Sequence, residues 1–272
     1  MSKYNETLNK YVAGFADADG AISFHFNKTV DGFFRIGLQF GITQIDNRGR
    51  GFKLLQFLRD AYGVGSVTDV KSKNQKYWKV AGKNDLEKFL PHIIKHMVIK
   101  GKHFQRMLEK RRELSGVNLT QDQVDELRRF AKESRADTGP TRYKKNASPA
   151  WLAGYIDGDG YLRHSEREHW LKIHVQKSDV CSVELIQRTY GGKIYKTTKE
   201  NIKEFRLNFG ASFYGIATKV LKAIIPHLRL KRHDAEMILY WHKQRLNEKN
   251  PKGVSDSLAN KYVSLGPRRS PS

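Results

Sequence analysis

The chain has 272 residues, and 50 Lys and Arg against 28 Asp and Glu leave a net charge of +22, so a polyanionic partner is expected. Hydrophobic residues at 39% and aromatics at 11% suffice for a packed core and exclude wholesale disorder. The single cysteine, Cys181, excludes an intramolecular disulfide framework and a cysteine-rich zinc module; no apolar run reaches a membrane-spanning length, and the polar start Met1–Lys10 lacks a signal-peptide core.

A tandem repeat organises the chain. Tyr11-Val-Ala-Gly-Phe-Ala-Asp-Ala-Asp-Gly20 recurs as Trp151-Leu-Ala-Gly-Tyr-Ile-Asp-Gly-Asp-Gly160. Tyr62-Gly63 then matches Tyr190-Gly191, Gly82 matches Gly210, Pro91-His92 matches Pro226-His227 and Lys100 matches Lys231, all in the same order. Each copy reads as helix, hairpin, helix, hairpin, helix. In the first, Ile22, Phe24 and Phe26 alternate with Ser23, His25 and Asn27, and past Asp31-Gly32, Ile36, Leu38, Phe40 and Ile42 alternate with Arg35, Gly37, Gln39 and Gly41. That pattern predicts a hairpin with one apolar and one polar face. A helix through Phe52–Leu58, strands near Val64–Val70 and Tyr77–Val80, and a last helix over Asn84–Arg112 broken near Pro91 and Gly101 complete the copy. Thr120-Gln-Asp-Gln123 is a capping box ahead of the stripe Val124, Leu127, Phe130, so the connector holds its own helix. The second copy opens with Ser148 as N-cap and Pro149 at the first helical position. Its strands and helices follow through Leu171–Val175, Val183–Tyr190, Lys193–Thr197, Glu204–Phe209 and on to about Arg245. The expected division is a first domain over 1–115, a linker with a short helix over 116–148, and a second domain over 149–272 with a flexible tail from about 250.

The small pairs Ala13-Gly14 and Ala153-Gly154, flanked by Val12, Phe15, Leu152 and Ile156, predict a close seam between the two repeated helices. Side-by-side packing brings Asp17, Asp19, Asp157 and Asp159 together at helix C-termini, where the macrodipole and mutual repulsion both disfavour negative charge. A hard divalent cation would offset this, and with phosphate implied by the net charge the pattern points to metal-assisted phosphodiester hydrolysis. An EF-hand does not fit, because the loop from Asp17 has Lys28 at its twelfth position and the loop from Asp157 has Leu162 at its sixth. His92 and His96 stand four apart without a zinc-protease pattern around them, and Gly63-Val-Gly65 is too short for a nucleotide loop.

The two motifs, Val12-Ala-Gly-Phe-Ala-Asp-Ala-Asp-Gly20 and Leu152-Ala-Gly-Tyr-Ile-Asp-Gly-Asp-Gly160, closely resemble the LAGLIDADG motif, and the order of elements resembles the αββαββα core of LAGLIDADG homing endonucleases. Two motifs in one chain resemble the monomeric, pseudosymmetric branch. The resemblance implies an α+β fold: a tandem pseudo-two-fold repeat, each copy with a curved antiparallel sheet forming a DNA-binding saddle. It implies a site-specific endonuclease that cuts both strands of a long non-palindromic site and leaves short 3′ overhangs. Mg²⁺ is the implied cofactor, with Mn²⁺ as a substitute and Ca²⁺ supporting binding without cleavage. By the same resemblance the metal-binding acids are Asp19 and Asp159, with the carbonyls of Ala18 and Gly158 as further ligands. Asp17 and Asp157 serve the helix ends. Lys100 and Lys231 are the basic residues that stabilise charge developing on the phosphate. The polar water-positioning residue is Gln44 in the first copy and Gln176 in the second, although the apolar alternation selects Lys177 instead.

Ser23, His25, Asn27, Arg35 and Gln39 in the first copy, and Arg163, Ser165, Arg167, Lys172 and His174 in the second, are expected to face double-stranded DNA. Arg, Gln and Asn there can read base edges, and much of the remaining Lys touches phosphate. Two other readings stay open at this point: a maturase binding intron RNA with the same surface, and a non-catalytic DNA-binding regulator. The composition leads us to expect an intracellular, reducing compartment, whether a bacterial or phage cytoplasm or an organelle, and a protein that is not secreted; the resemblance implies a monomer. Met1 and the lack of evident splice-junction residues favour a free-standing protein.

Overall fold

The computed structural model describes residues 5–70, 74–136, 146–165, 170–177, 180–199, 202–209 and 216–247. Helix α1 (Glu6–Asp19) is started by Asn5, whose side chain accepts from the amides of Thr7 and Leu8, and it ends at Gly20, where the chain passes directly into β1 (Gly20–Lys28). Strand β2 (Phe34–Ile45) returns antiparallel to β1, and after α2 (Arg50–Tyr62) the hairpin of β3 (Ser66–Val70) and β4 (Gln75–Val80) adds to it in the order β1-β2-β4-β3. Helices α3 (Lys83–Ile94) and α4 (Gly101–Glu113) close the first copy.

The second copy repeats the order: α6 (Pro149–Asp159), β5 (Gly160–Ser165), β6 (Trp170–Lys177), α7 (Val180–Tyr190), β7 (Lys193–Lys199), β8 (Ile202–Asn208), α8 (Ile216–Ile224) and α9 (Arg232–Asn247). Its sheet has the matching order β5-β6-β8-β7. The expected α+β repeat is therefore present, with the final helix of each αββαββα unit divided in two. In the first copy the division falls at residues 95–100 and not at Pro91. The proline lies inside α3 on an exposed side, and the helix continues to Ile94 before it stops.

The alternation of apolar residues decides which sheet face meets the core. Leu38, Phe40 and Ile42 of β2, with Trp78 and Val80 of β4, are buried against Phe89 of α3 and Phe104 of α4. In the second sheet Ile173, Val175 and Leu207 are buried likewise, with Leu221 and Ile224 of α8 in the same core. The connector helix α5 (Gln121–Ala136) begins with the capping box: the Thr120 amide donates to Gln123 Oε1 at 2.9 Å, and the Gln123 amide to Thr120 Oγ1 at 3.4 Å. Val124 and Leu127 bury against Phe24, Phe26, Phe34 and Ile36, so this helix lies on the first sheet.

Helices α1 and α6 form the seam between copies, and glycine makes their approach possible. A Cβ on Gly14 would stand 1.8 Å from the Trp151 carbonyl oxygen, and one on Gly154 would stand 1.9 Å from that of Tyr11. Around these crossings Val12, Ala13, Phe15, Leu152, Ala153, Tyr155 and Ile156 are fully buried.

Candidate active site and nucleic-acid face

Because α1 and α6 cross through their glycines, their C-terminal ends converge. A Cβ on Gly158 would meet Asp19 Oδ2 at 2.9 Å and the Ala18 methyl at 2.5 Å, so the Asp19 carboxylate lies against the second motif. Asp19 and Asp159 are both half-buried. Both, with Asp157, act electrostatically on the Lys231 ammonium.

The first aspartate of each motif does a different job. Asp17 is buried and accepts from the amides of Val98 and Lys100, each at 2.7 Å, and from the Trp151 indole at 2.8 Å. Asp157 mirrors it: buried, accepting from the amides of Arg229 at 2.8 Å, Leu230 at 3.1 Å and Lys231 at 2.9 Å, and from the Tyr11 hydroxyl at 2.8 Å. Each copy's aspartate is thus held by its own lysine-bearing loop and by an aromatic donor from the other copy. Desolvation raises the pKa of Asp17 against the opposing pull of these donors, and burial beside Asp157 pushes the Tyr11 phenol well up. No sequence pattern predicts Tyr11 and Trp151 as partners of these acids, since 146 and 134 residues separate the pairs.

The lysines delivered by those loops close the helix ends. Lys100 Nζ donates to the carbonyls of Ala16 at 3.2 Å, Ala18 at 2.9 Å and Gly20 at 2.9 Å. Lys231 Nζ donates to those of Ile156 at 2.6 Å, Asp157 at 2.8 Å and Gly158 at 3.5 Å. A cation at a helix C-terminus complements the dipole and answers the repulsion among the four carboxylates. Desolvation lowers the pKa of Lys231, and the surrounding aspartates oppose that shift. Arg229 adds a clamp between copies, its guanidinium lying 4.2 Å from the Phe57 ring centroid and 5.4 Å from that of Tyr11.

Gln44, at the end of β2, donates its side-chain amide to Asp19 Oδ2, so these two residues are brought together. The corresponding position of the second copy follows from the backbone register. Gly20 pairs with Ile42 and Gly160 with Val175; two residues further along are Gln44 and Lys177. Gln176 is therefore displaced by one position. A one-residue step along a strand moves to the other face, and the counterpart of Gln44 is Lys177.

The oxygens here suit a hard divalent cation. The Asp19 carboxylate lies against Gly158, the residue before Asp159, and the carbonyls of Ala18 and Gly158 each already accept a hydrogen bond from a lysine. A carbonyl has two lone pairs, so acceptance from lysine leaves one for a cation. Among the described residues no group of three or more His, Cys, Asp or Glu side chains gathers, and a site this sparse in carboxylates fits an ion that keeps several waters.

On the face opposite the core, β1 carries Ser23 and Asn27 exposed and His25 half-buried, while β2 carries Arg35 exposed and Gln39 half-buried. Asn27 pairs with Arg35 and Ser23 with Gln39, whose amide donates to Ser23 Oγ at 3.2 Å. The His25 ring lies over Gly37, where a Cβ would stand 2.0 Å from Nε2, and the Tyr77 ring lies over Gly41 in the same way. Burial, with Lys79 nearby, lowers the pKa of His25. Tyr77 and Lys79 alternate with buried Trp78 and Val80, so β4 adds them to this polar face. That contribution was readable from the alternation in Tyr77–Val80.

In the second sheet, Arg163 is paired with Lys172 in backbone register, and Ser165 with Trp170. His174 is opposite Tyr161. The side chains of Arg163, Ser165, Lys172, His174 and Gln176, and all of Arg167, lie outside the described residues.

Residues 12–108 match the LAGLIDADG endonuclease family, and the second motif repeats the first in the same structural setting. The first copy is thus a LAGLIDADG endonuclease domain by its match. The chain is 25% identical over 165 residues to the probable intron-encoded endonuclease Cox1-I1b of Schizosaccharomyces pombe, which covers 58% of this chain and 41% of that protein. It is 28% identical over 123 residues to the DNA endonuclease I-CvuI of Chlorella vulgaris, covering 41% of this chain and 74% of that one. The chain thus spans less than half the length of the first of these curated relatives. Among solved structures, the meganuclease I-SmaMI bound to uncleavable DNA superposes with a TM-score of 0.67 at 19% identity, over 96% of this chain and 98% of that one. The chain therefore shares the fold of that meganuclease along nearly its whole length.

Proposed function

We propose that this LAGLIDADG protein is a site-specific homing endonuclease that hydrolyses one phosphodiester in each strand of a long, non-palindromic DNA site and leaves short 3′ overhangs. The observation that carries the reading is the convergence of Asp19 with the second motif at Gly158, at the point where each motif helix gives way to a sheet with a polar face. Two acids so placed, in a chain of net charge +22, supply a hydrolytic centre to each strand of a bound duplex. The relatives support it, since both carry endonuclease names.

Asp19 and Asp159, with the carbonyls of Ala18 and Gly158, would hold the divalent cation, which we take to be Mg²⁺. When bound it lowers the pKa of water and stabilises a leaving oxygen. Gln44 fixes the orientation of the Asp19 carboxylate and presents a polar group for an attacking water; Lys177 occupies the corresponding position in the second copy. Lys100 and Lys231 place positive charge beside the scissile phosphates while bracing the helix ends. Ser23, His25, Asn27, Arg35 and Gln39 read one half-site, and Arg163, Ser165, Arg167, Lys172 and His174 the other. The two sets differ in chemistry, as a non-palindromic target requires. We further assign residues 1–115 and 149–272 as two DNA-binding domains, residues 116–148 as their linker, and the protein as an intracellular monomer. Among the described residues no helix is long and apolar enough to cross a membrane.

The test is a randomised double-stranded DNA library incubated with the protein in Mg²⁺ or in Ca²⁺, with sequencing of the cleaved ends. Cutting at one asymmetric site in Mg²⁺, and binding alone in Ca²⁺, is expected. Binding to many sequences without cutting in any divalent cation would overturn the nuclease assignment.

A further inference from the structure

The connector helix α5 exposes Arg128, Lys132 and Arg135 at spacings of four and three, which places all three on one helix face. That face borders a groove of about 590 Å³ whose other walls are the β1 segment from Ile22 to Phe26, Phe34 of β2, Ala131 of α5 and His103 of α4, and no acidic side chain lines it. Asp125 accepts from Arg128 at 2.8 Å and from Gln121 at 3.0 Å at the N-terminal end, so Lys132 and Arg135 carry most of the positive charge of this face, and Glu133 lines a separate groove on the α4 side. Since β1 is the outer strand of its sheet, α5, packed on the apolar side at Phe24 and Phe26, brings its basic face to the sheet's edge, where Ser23 and His25 of the polar side line the same groove.

The helix is held firmly in this place. Leu119 exchanges two backbone hydrogen bonds with Phe34 at 2.8 Å, Val124 and Leu127 are buried, and Ser134 Oγ lies 3.1 Å from His103 Nδ1. Arg128 lies 5.7 Å from the Phe26 ring centroid, which restrains its long side chain. A helix anchored in this way presents its charges without the cost of ordering its backbone when it meets a ligand.

We infer that α5 is a phosphate-binding arm: it grips the sugar–phosphate backbone of the duplex alongside the bases read by the first sheet. From Arg128 to Arg135 the helix rises about 10 Å, at 1.5 Å per residue. Along one strand of B-form DNA that distance spans about three phosphates. Because the connector occurs once in the chain, the arm lengthens one side of the DNA footprint and leaves the other as it was. The inference rests on the DNA-binding reading above.

The test compares wild type, the triple variant Arg128→Gln/Lys132→Gln/Arg135→Gln, and the double variant Lys132→Gln/Arg135→Gln, which spares the Phe26 contact. A control removes three charges elsewhere, as Arg59→Gln/Lys83→Gln/Lys88→Gln. Affinity for a duplex carrying the cleavage site is measured against salt concentration in Ca²⁺, with hydroxyl-radical footprinting in parallel. Each lost phosphate contact lowers the slope of log affinity against log salt by about 0.9. The expected result is a slope smaller by about 2 in the double variant and up to about 3 in the triple, loss of protection on the flank of the first half-site alone, an unchanged base preference, and a near-normal control. An unchanged slope and footprint, or a control equal to the triple variant, overturns the arm while wild-type binding upholds the DNA reading. Failure of wild type to bind duplex DNA, with RNA bound through the same residues, overturns both.

Discussion

Adding one methyl group at Gly14 tests whether the seam between α1 and α6 sets the architecture. Glycine is the poorest ordinary residue in a helix interior, so at an open site Gly14→Ala would stabilise the fold by about 1 kcal/mol. Here the new Cβ would stand 1.8 Å from the Trp151 carbonyl oxygen, whereas ordinary contact begins at 3.4 Å; the shortfall is 3.4 − 1.8 = 1.6 Å. The obstacle is backbone, which cannot rotate aside as a flexible side chain could. The helices must separate, and gaps of even 0.5–1 Å forfeit a quarter to a half of the dispersion energy across an interface. Overpacking of this kind costs about 1–3 kcal/mol or more. With the propensity gain deducted, and the clash at the upper end of that range, we expect a net loss of about 2 kcal/mol. For a chain of this size that corresponds to a fall in Tm of about 4–8 °C. The measurement is thermal unfolding of wild type, Gly14→Ala, Gly154→Ala and, as a reference, Gly116→Ala, whose Cβ would meet nothing within 4 Å although its φ of +86° strains any side chain. A Tm for Gly14→Ala equal to or above wild type would refute the claim that close backbone approach holds the two copies together.

Further outcomes follow from the site. Asp19→Asn is expected to slow cutting by at least 10²–10³-fold, on the order of the loss when one charge-stabilising group is removed, while binding to DNA in Ca²⁺ persists; loss of binding instead would assign Asp19 to folding. Tyr11→Phe removes one of four donors to the buried Asp157 carboxylate and should cost about 1–3 kcal/mol in denaturant unfolding, and no change would show that the three loop amides suffice. Burial, reinforced by Arg135, Lys100 and Arg106, pushes the pKa of His103 down to about 4. The unfolded chain therefore takes up a proton near pH 6.5 that the folded protein refuses until about pH 4, so stability is expected to fall across that window and to fall less in His103→Gln. An identical pH profile for the two proteins would contradict this.

Much of this was legible because the signals were local. Ser148 caps α6 by accepting from the Trp151 amide at 3.2 Å, and Thr120 with Gln123 caps α5, both as three-residue patterns imply. The acids at the motif ends were readable because the whole ten-residue pattern recurs. Other features depend on which strand meets which. Choosing between Gln176 and Lys177 required the pairing of Gly160 with Val175, because the second hairpin gives fewer apolar markers from which to count. Of the breaks expected near Pro91 and Gly101, the chain passes the first and leaves the helix only after Ile94, and it resumes at Gly101 once the amides of Val98 and Lys100 have turned to Asp17. The contacts of Tyr11 with Asp157 and of Trp151 with Asp17 lie beyond local reading, since only the crossing of two helices brings those residues together.

That reciprocal arrangement also bears on the order in which the molecule matures. Each lysine-bearing loop is ordered by an aspartate that waits for a donor more than 130 residues away. Closure over such a separation comes late in folding, because long loops must be ordered before their contacts return any stability. A chain still emerging from the ribosome, or cut short after its first copy, would carry a finished sheet and a basic surface without an organised catalytic end. On the proposed nuclease reading it could rest on DNA but not break it, so hydrolytic competence would arrive only with the completed second copy.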